Sequence, residues 1–111
     1  MTDQADKHVQ EYQEFLAKAM EGDVDSLYNV GTYVLCGIGV KQDTEKAIIW
    51  FEKAAAGDSY LACQWLTTIY YNGQLRPIDM ERAKYWYCAG KNLVKNLDHS
   101  LWDLQIDEFE D

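Results

Sequence analysis

The chain has 111 residues, one domain's worth, with 48% hydrophobic and 14% aromatic side chains, a composition too apolar for disorder. Its single proline, Pro77, and seven glycines supply too little turn chemistry for an all-β fold. The net charge of -9 sits at the ends: residues 1–25 carry seven acids against two bases, and residues 97–111 six acids and no base. That distribution excludes nucleic acid and anionic membrane as natural partners and favours a cationic protein.

In chain order, Met1–Lys7 has no apolar run of a signal peptide, and no segment approaches the roughly 18 apolar residues of a membrane span. Cys36, Cys63 and Cys88 are odd in number and scattered, as expected for reduced thiols in a cytoplasmic protein. A repeat then organises the middle. At an offset of 36 residues Ser26 meets Ala62, Val30 meets Leu66, Val34 meets Tyr70 and Gly37 meets Gly73. The same frame pairs Asp43 with Asp79, Ala47 with Ala83, Trp50 with Trp86 and Phe51 with Tyr87. A period of this length signals stacked helical hairpins.

Each unit reads as two helices. Ser26, Leu27, Val30 and Val34 form one apolar stripe, which the glycines of Cys36-Gly37-Ile38-Gly39-Val40 stop. Asp43 is placed to cap a second helix whose Ala47, Trp50, Phe51 and Ala54 share a face. The second unit repeats the pattern with Ala62, Leu66 and Tyr70, then Gly73, then Asp79, Ala83, Trp86 and Tyr87. After Gly90, the spacing of Leu93, Val94, Leu97, Leu101 and Leu104 predicts a last amphipathic helix over 93–108, with 109–111 as an acidic tail. The expectation is an all-α, short right-handed α-solenoid of antiparallel helix pairs, about six helices in a single domain.

The residues Ala19-Met20-Glu21-Gly22-Asp23, Val30-Gly31, Gly37-Ile38-Gly39-Val40, Asp43, Lys46-Ala47, Trp50-Phe51 and Lys53-Ala54-Ala55 resemble the Sel1-like repeat. The first unit, 22–54, follows that family's pattern almost throughout. The second, 55–90, departs from it: Thr67 replaces the first glycine and Leu75-Arg76-Pro77 replaces the end of the glycine turn. Phe15-Leu16-Ala17-Lys18-Ala19 is similar to the end of a preceding unit, which implies a capping helix over 4–21. In related solenoids the first helix of each pair lines a concave surface. The resemblance thereby implies a partner-binding set of Asp25, Tyr28, Thr32 and Leu35 from the first unit, Leu61, Gln64, Thr68, Tyr71 and Asn72 from the second, and Trp102, Asp103 and Asp107 from the last helix.

Nothing in the pattern points to catalysis. His8 and His99 lack neighbours at ligand spacing, the cysteines form no C-x-x-C, and the glycine turn lacks the lysine and Ser/Thr of a phosphate loop. No catalytic residue, metal or cofactor is expected. Tyr28, Tyr33, Trp65 and Tyr71 are instead the aromatic anchors an interface would use. The expectation is a protein-binding module, its oligomeric state open with a monomer favoured: a small acidic inhibitor, such as an antitoxin or immunity protein, that neutralises a basic toxin, for instance a nuclease. The alternative is a regulatory or scaffolding adaptor in signalling or envelope assembly.

Overall fold

A computed structural model of the protein describes residues 3–93. Those residues form five α-helices in order: α1 (Asp3–Met20), α2 (Val24–Cys36), α3 (Thr44–Ala56), α4 (Tyr60–Asn72) and α5 (Met80–Leu93). Among the described residues there is no strand. Helices α2 with α3, and α4 with α5, make the closest pairs, so the chain is a stack of two hairpins with α1 laid against α2. The expected all-helical solenoid is thus what the sequence builds. The sixth predicted helix, 93–108, lies outside the described residues except for Leu93, which belongs to α5. Gly90 is buried inside α5.

Polar groups that start and stop the helices recur with the repeat. Asp23 accepts the Ser26 N–H at 3.0 Å to open α2, and Ser59 accepts the Ala62 N–H at 3.2 Å to open α4. Asp43 accepts from Lys46 N–H at 3.1 Å, and Asp79 from Arg82 N–H at 3.1 Å. Each such cap contributes about 1 kcal/mol by satisfying amides that the helix leaves free. Gly37 and Gly73 end α2 and α4 in the left-handed conformation.

The core runs along the stack, and Phe51 is its largest fully buried side chain. Its ring lies so close to α2 that a Cβ on Gly31 would stand 2.8 Å from two ring carbons. The other side of the ring stacks on Trp65 of α4, centroids 6.0 Å apart and planes 10° from parallel. Tyr28 of α2 leans on the same ring at 5.9 Å. One phenylalanine therefore joins the two hairpins. Trp50 and Trp86, expected on core stripes, are half-buried. Each has a neighbour in view, Lys53 above Trp50 at 6.0 Å and Tyr85 edge-on to Trp86 at 4.8 Å.

Two different devices fasten each turn to the helix beneath it. In the first unit, Gly39 rests on the backbone of α1, where any Cβ would collide with the His8 carbonyl. Phe15 packs edge-on against Tyr33 at 5.4 Å, and the Tyr33 hydroxyl donates to Glu11 Oε1 at 3.1 Å. His8 Nδ1 lies 3.2 Å from the same oxygen. In the second unit Leu75 takes the place of Gly39, and Arg76 pairs with Glu45 of α3 at 3.0 Å. The Arg76 guanidinium also lies over the Tyr70 ring at 5.1 Å, with Arg82 above the same ring at 5.9 Å. Glu45 is well exposed, so the ion pair itself contributes about 0–1 kcal/mol and the stacking adds to it.

Two outcomes test this packing. Gly31→Ala should destabilise the fold by about 1–3 kcal/mol, read as a lower Tm, because the added methyl drives the Phe51 ring out of its slot. The second concerns pH. Hydrogen bonds from His8 and then Tyr33 hold the Glu11 carboxyl below its ordinary value of 4.5. Its contribution is complete above that value and is lost as pH falls through the lower folded-state value. Burial, then the bond to Glu11, raises Tyr33 above 10.0, so its share is lost only on the alkaline side. Thermal unfolding across pH should show an acid limb that Glu11→Gln flattens.

Candidate partner-binding site

The first helices of the two hairpins, α2 and α4, form a shallow recess of about 310 Å³ lined by Tyr28, Leu61, Gln64, Trp65 and Thr68. Its floor is fixed by chemistry already described. Trp65 Nε1 donates to the Tyr28 hydroxyl oxygen at 3.2 Å, linking residues 37 apart in sequence, and both rings stand on Phe51. Aromatics held on a buried ring and by a hydrogen bond have little rotamer freedom left to lose on binding. Leu61 is 48% exposed at the rim, so apolar surface is offered to solvent beside an amide and a hydroxyl. This combination of rigid aromatic, leucine and uncharged polar groups suits an apolar anchor side chain of a protein partner.

The structure brings together Tyr28, Leu61, Gln64 and Thr68 from the partner-binding set with Trp65, which the sequence marked as an aromatic anchor outside that set. Asp25 is exposed one turn before Tyr28, and the Thr32 hydroxyl returns to the Tyr28 carbonyl at 3.1 Å. Leu35 is a correction. It is only 6% exposed and belongs to the core, because the face of α2 that carries Tyr28 has turned inward by that point. Its repeat equivalent, Tyr71, is half-buried. Asn72 is exposed at the end of α4, where its side-chain oxygen accepts the Gln74 N–H at 2.9 Å. Trp102, Asp103 and Asp107 lie outside the described residues.

Trp65 stands 36 residues after Asn29, a polar position in the first unit, so the repeat alone does not mark it. The signal available was its aromatic character on the first helix of a pair. Tyr33, also singled out from sequence, fastens α1 through its bond to Glu11.

The lining carries no Asp, Glu, Lys, Arg, His or Cys side chain, and the nearby thiol is inert. Burial pushes the Cys63 thiol up to about 11, so it is neither a thiolate nor accessible at neutral pH. Cys36 and Cys88 are exposed free thiols elsewhere. Among the described residues no three or more His, Cys, Asp or Glu side chains come together at metal-binding range, and no helix is long and apolar enough to cross a membrane. Replacing Tyr28 by Phe removes the acceptor of the indole N–H while keeping the ring. It should cost about 0.5–1.5 kcal/mol in thermal or urea unfolding and shift the tryptophan emission, with the helical content unchanged.

Comparison with known proteins agrees with this geometry. A family model described as the Sel1 repeat matches residues 24–59 and 60–92, so each unit begins at the first helix of a hairpin. The crystal structure of a Sel1 repeat protein from Oxalobacter formigenes superposes with a TM-score of 0.76 at 23% identity, over 91% of this chain. The chain spans 40% of the length of that protein, so what the two share is the fold. With two matched units, caps and turns recurring in register, and a preformed recess between first helices, the chain belongs to the Sel1 repeat family of protein-binding helical modules.

Proposed function

We propose that this chain is a cytoplasmic, stoichiometric inhibitor that occludes a basic protein, in the manner of an antitoxin or immunity protein against a cationic toxin such as a nuclease. The observation that supports the reading best is a separation of roles on the surface. The recess of Tyr28, Leu61, Gln64, Trp65 and Thr68 is uncharged and rigid, while the chain as a whole carries -9. In such an arrangement long-range acidic charge speeds encounter with a cationic surface, and the recess supplies the contact that slows dissociation. On this reading the carboxylates of Asp25, Asp103 and Asp107 are the groups that would take the place of phosphates toward a nuclease. On the same reading Thr32, Tyr71, Asn72 and Trp102 are further candidate contacts for the partner.

A second reading draws on the same uncharged lining: a regulatory or scaffolding adaptor in signalling or envelope assembly, holding several partners through apolar contacts with little regard for salt. The two separate in one experiment, a pull-down from the native host with tagged protein, washed at low and at high salt. The inhibitor reading expects one basic protein near one-to-one, with recovery falling as salt rises. Leu61→Arg, a surface substitution at the rim, should weaken that complex on the order of tenfold or more. Asp25→Lys should slow association and leave dissociation nearly unchanged. Several salt-indifferent partners with no basic one among them would overturn the inhibitor and support the adaptor.

A further inference from the structure

Helices α3 and α5 both pack on α4 and leave a furrow between them. It opens into a hollow of about 290 Å³ that shares no residue with the recess between α2 and α4. Glu52 of α3 and Asp58 of the turn after it stand on one side, and Tyr85, Trp86 and Ala89 of α5 on the other. Buried Cys63 of α4 lies beneath. The two rings meet edge to face at 4.8 Å, their planes 84° apart. None of the described side chains lining the hollow is basic.

Every group here favours a cation. Aromatic faces carry negative potential, and so does the C-terminal end of α3, which finishes at Ala56 in the same hollow. Lys53, in that last turn, lies over the Trp50 ring instead. Arg82, a turn before Trp86, pairs with Asp79 and lies over Tyr70. Neither Glu52 nor Asp58 has an ion-pair partner among the described residues. Glu52 is half-buried, so it has given up hydration with no counter-ion in return. Asp58 is not demanded by its turn: the first unit has Gly22 there, and Asp58 keeps the same left-handed backbone with a φ of 70°.

The chain itself shows what fits. Two turns back along α3, Glu45 receives Arg76, whose guanidinium covers Tyr70. Glu45 and Glu52 lie seven residues apart and so share a face of α3, as Tyr70 and Cys63 share a face of α4. The furrow thus holds two stations about 10 Å apart, each pairing a carboxylate of α3 with aromatic rings. The first is occupied by the chain's own arginine, and no base of the described chain lines the second. We propose that the hollow between α3 and α5 is a second binding site, which takes an arginine side chain of a protein partner. The guanidinium stacks on Tyr85 and Trp86 and donates to Glu52, with exposed Asp58 at the mouth. Arginine fits better than lysine because a planar, weakly hydrated cation can stack and donate at once. The inference needs neither the inhibitor nor the adaptor reading, since the hollow and the recess share no residue.

The test is titration of the full-length, isotope-labelled protein with an acetylated and amidated Gly-Arg-Gly peptide, followed through amide and indole NMR signals. For one side chain, dissociation constants on the order of 1–10 mM are expected. The Trp86 indole and the amides of Cys63 and Ala89 should shift saturably. A peptide with citrulline, a neutral isostere, in place of arginine should leave them unmoved, and the lysine peptide should bind several-fold more weakly. The double variant Glu52→Gln, Asp58→Asn conserves shape and should weaken the arginine peptide about tenfold or more. Tyr85→Ala, at a position 64% exposed, should weaken it about threefold. Leu61→Arg, at the rim of the recess, should leave this binding unchanged. Absence of a saturable shift overturns the proposal, as does equal binding of the citrulline or the lysine peptide. Arginine binding that survives the double variant overturns it too, and shifts centred on Trp65 overturn it by assigning the arginine to the recess.

Discussion

A phenylalanine ring lying directly on a glycine backbone allows these hairpins to stack. Phe51 occupies a slot on α2 that exists only because Gly31 has no side chain, and from there it reaches Trp65 on the next hairpin. The contact is steric before it is energetic: close approach is permitted at one residue, and dispersion and burial then act over the whole ring. The recess depends on it. Tyr28 and Trp65 are held side by side because both lean on that ring, and their hydrogen bond completes an arrangement the packing has already set. Thr67 marks the contrast in the second unit. There the position equivalent to Gly31 bears a side chain, whose hydroxyl bonds to the Cys63 carbonyl at 2.8 Å.

Much of the architecture could be read from the 36-residue register, because helix caps, turn glycines and apolar stripes are local features with local sequence causes. The capping roles of Asp43 and Asp79 and the stops at Gly37 and Gly73 were legible for that reason. So was the placement of Tyr28, Leu61, Gln64 and Thr68 on one surface, through the resemblance that assigns first helices to the concave side. Leu35 was not legible. A helix stripe continued at constant phase crosses from an open surface into a seam, and no local pattern states where the crossing falls.

The tertiary fastenings were the least legible. Nothing in the spacing of His8, Glu11 and Tyr33 announces that a carboxylate on one helix will receive bonds from two elements. Likewise Leu75-Arg76-Pro77 reads from sequence as a damaged glycine turn. In the fold it is a replacement, in which a guanidinium reaches across to Glu45 and covers Tyr70. Departures from a family pattern thus record a change in what the turn rests on.

That exchange has a consequence for modularity. The turn of the first hairpin demands bare backbone beneath Gly39, which α1 offers at His8 and Val9. The turn of the second demands a carboxylate, and α3 offers Glu45 where α1 has Val9, 36 residues earlier. The hairpins are therefore keyed to their places and cannot be transposed, duplicated or spliced freely as interchangeable bricks. Anyone lengthening this array would have to carry the supporting helix along with each turn.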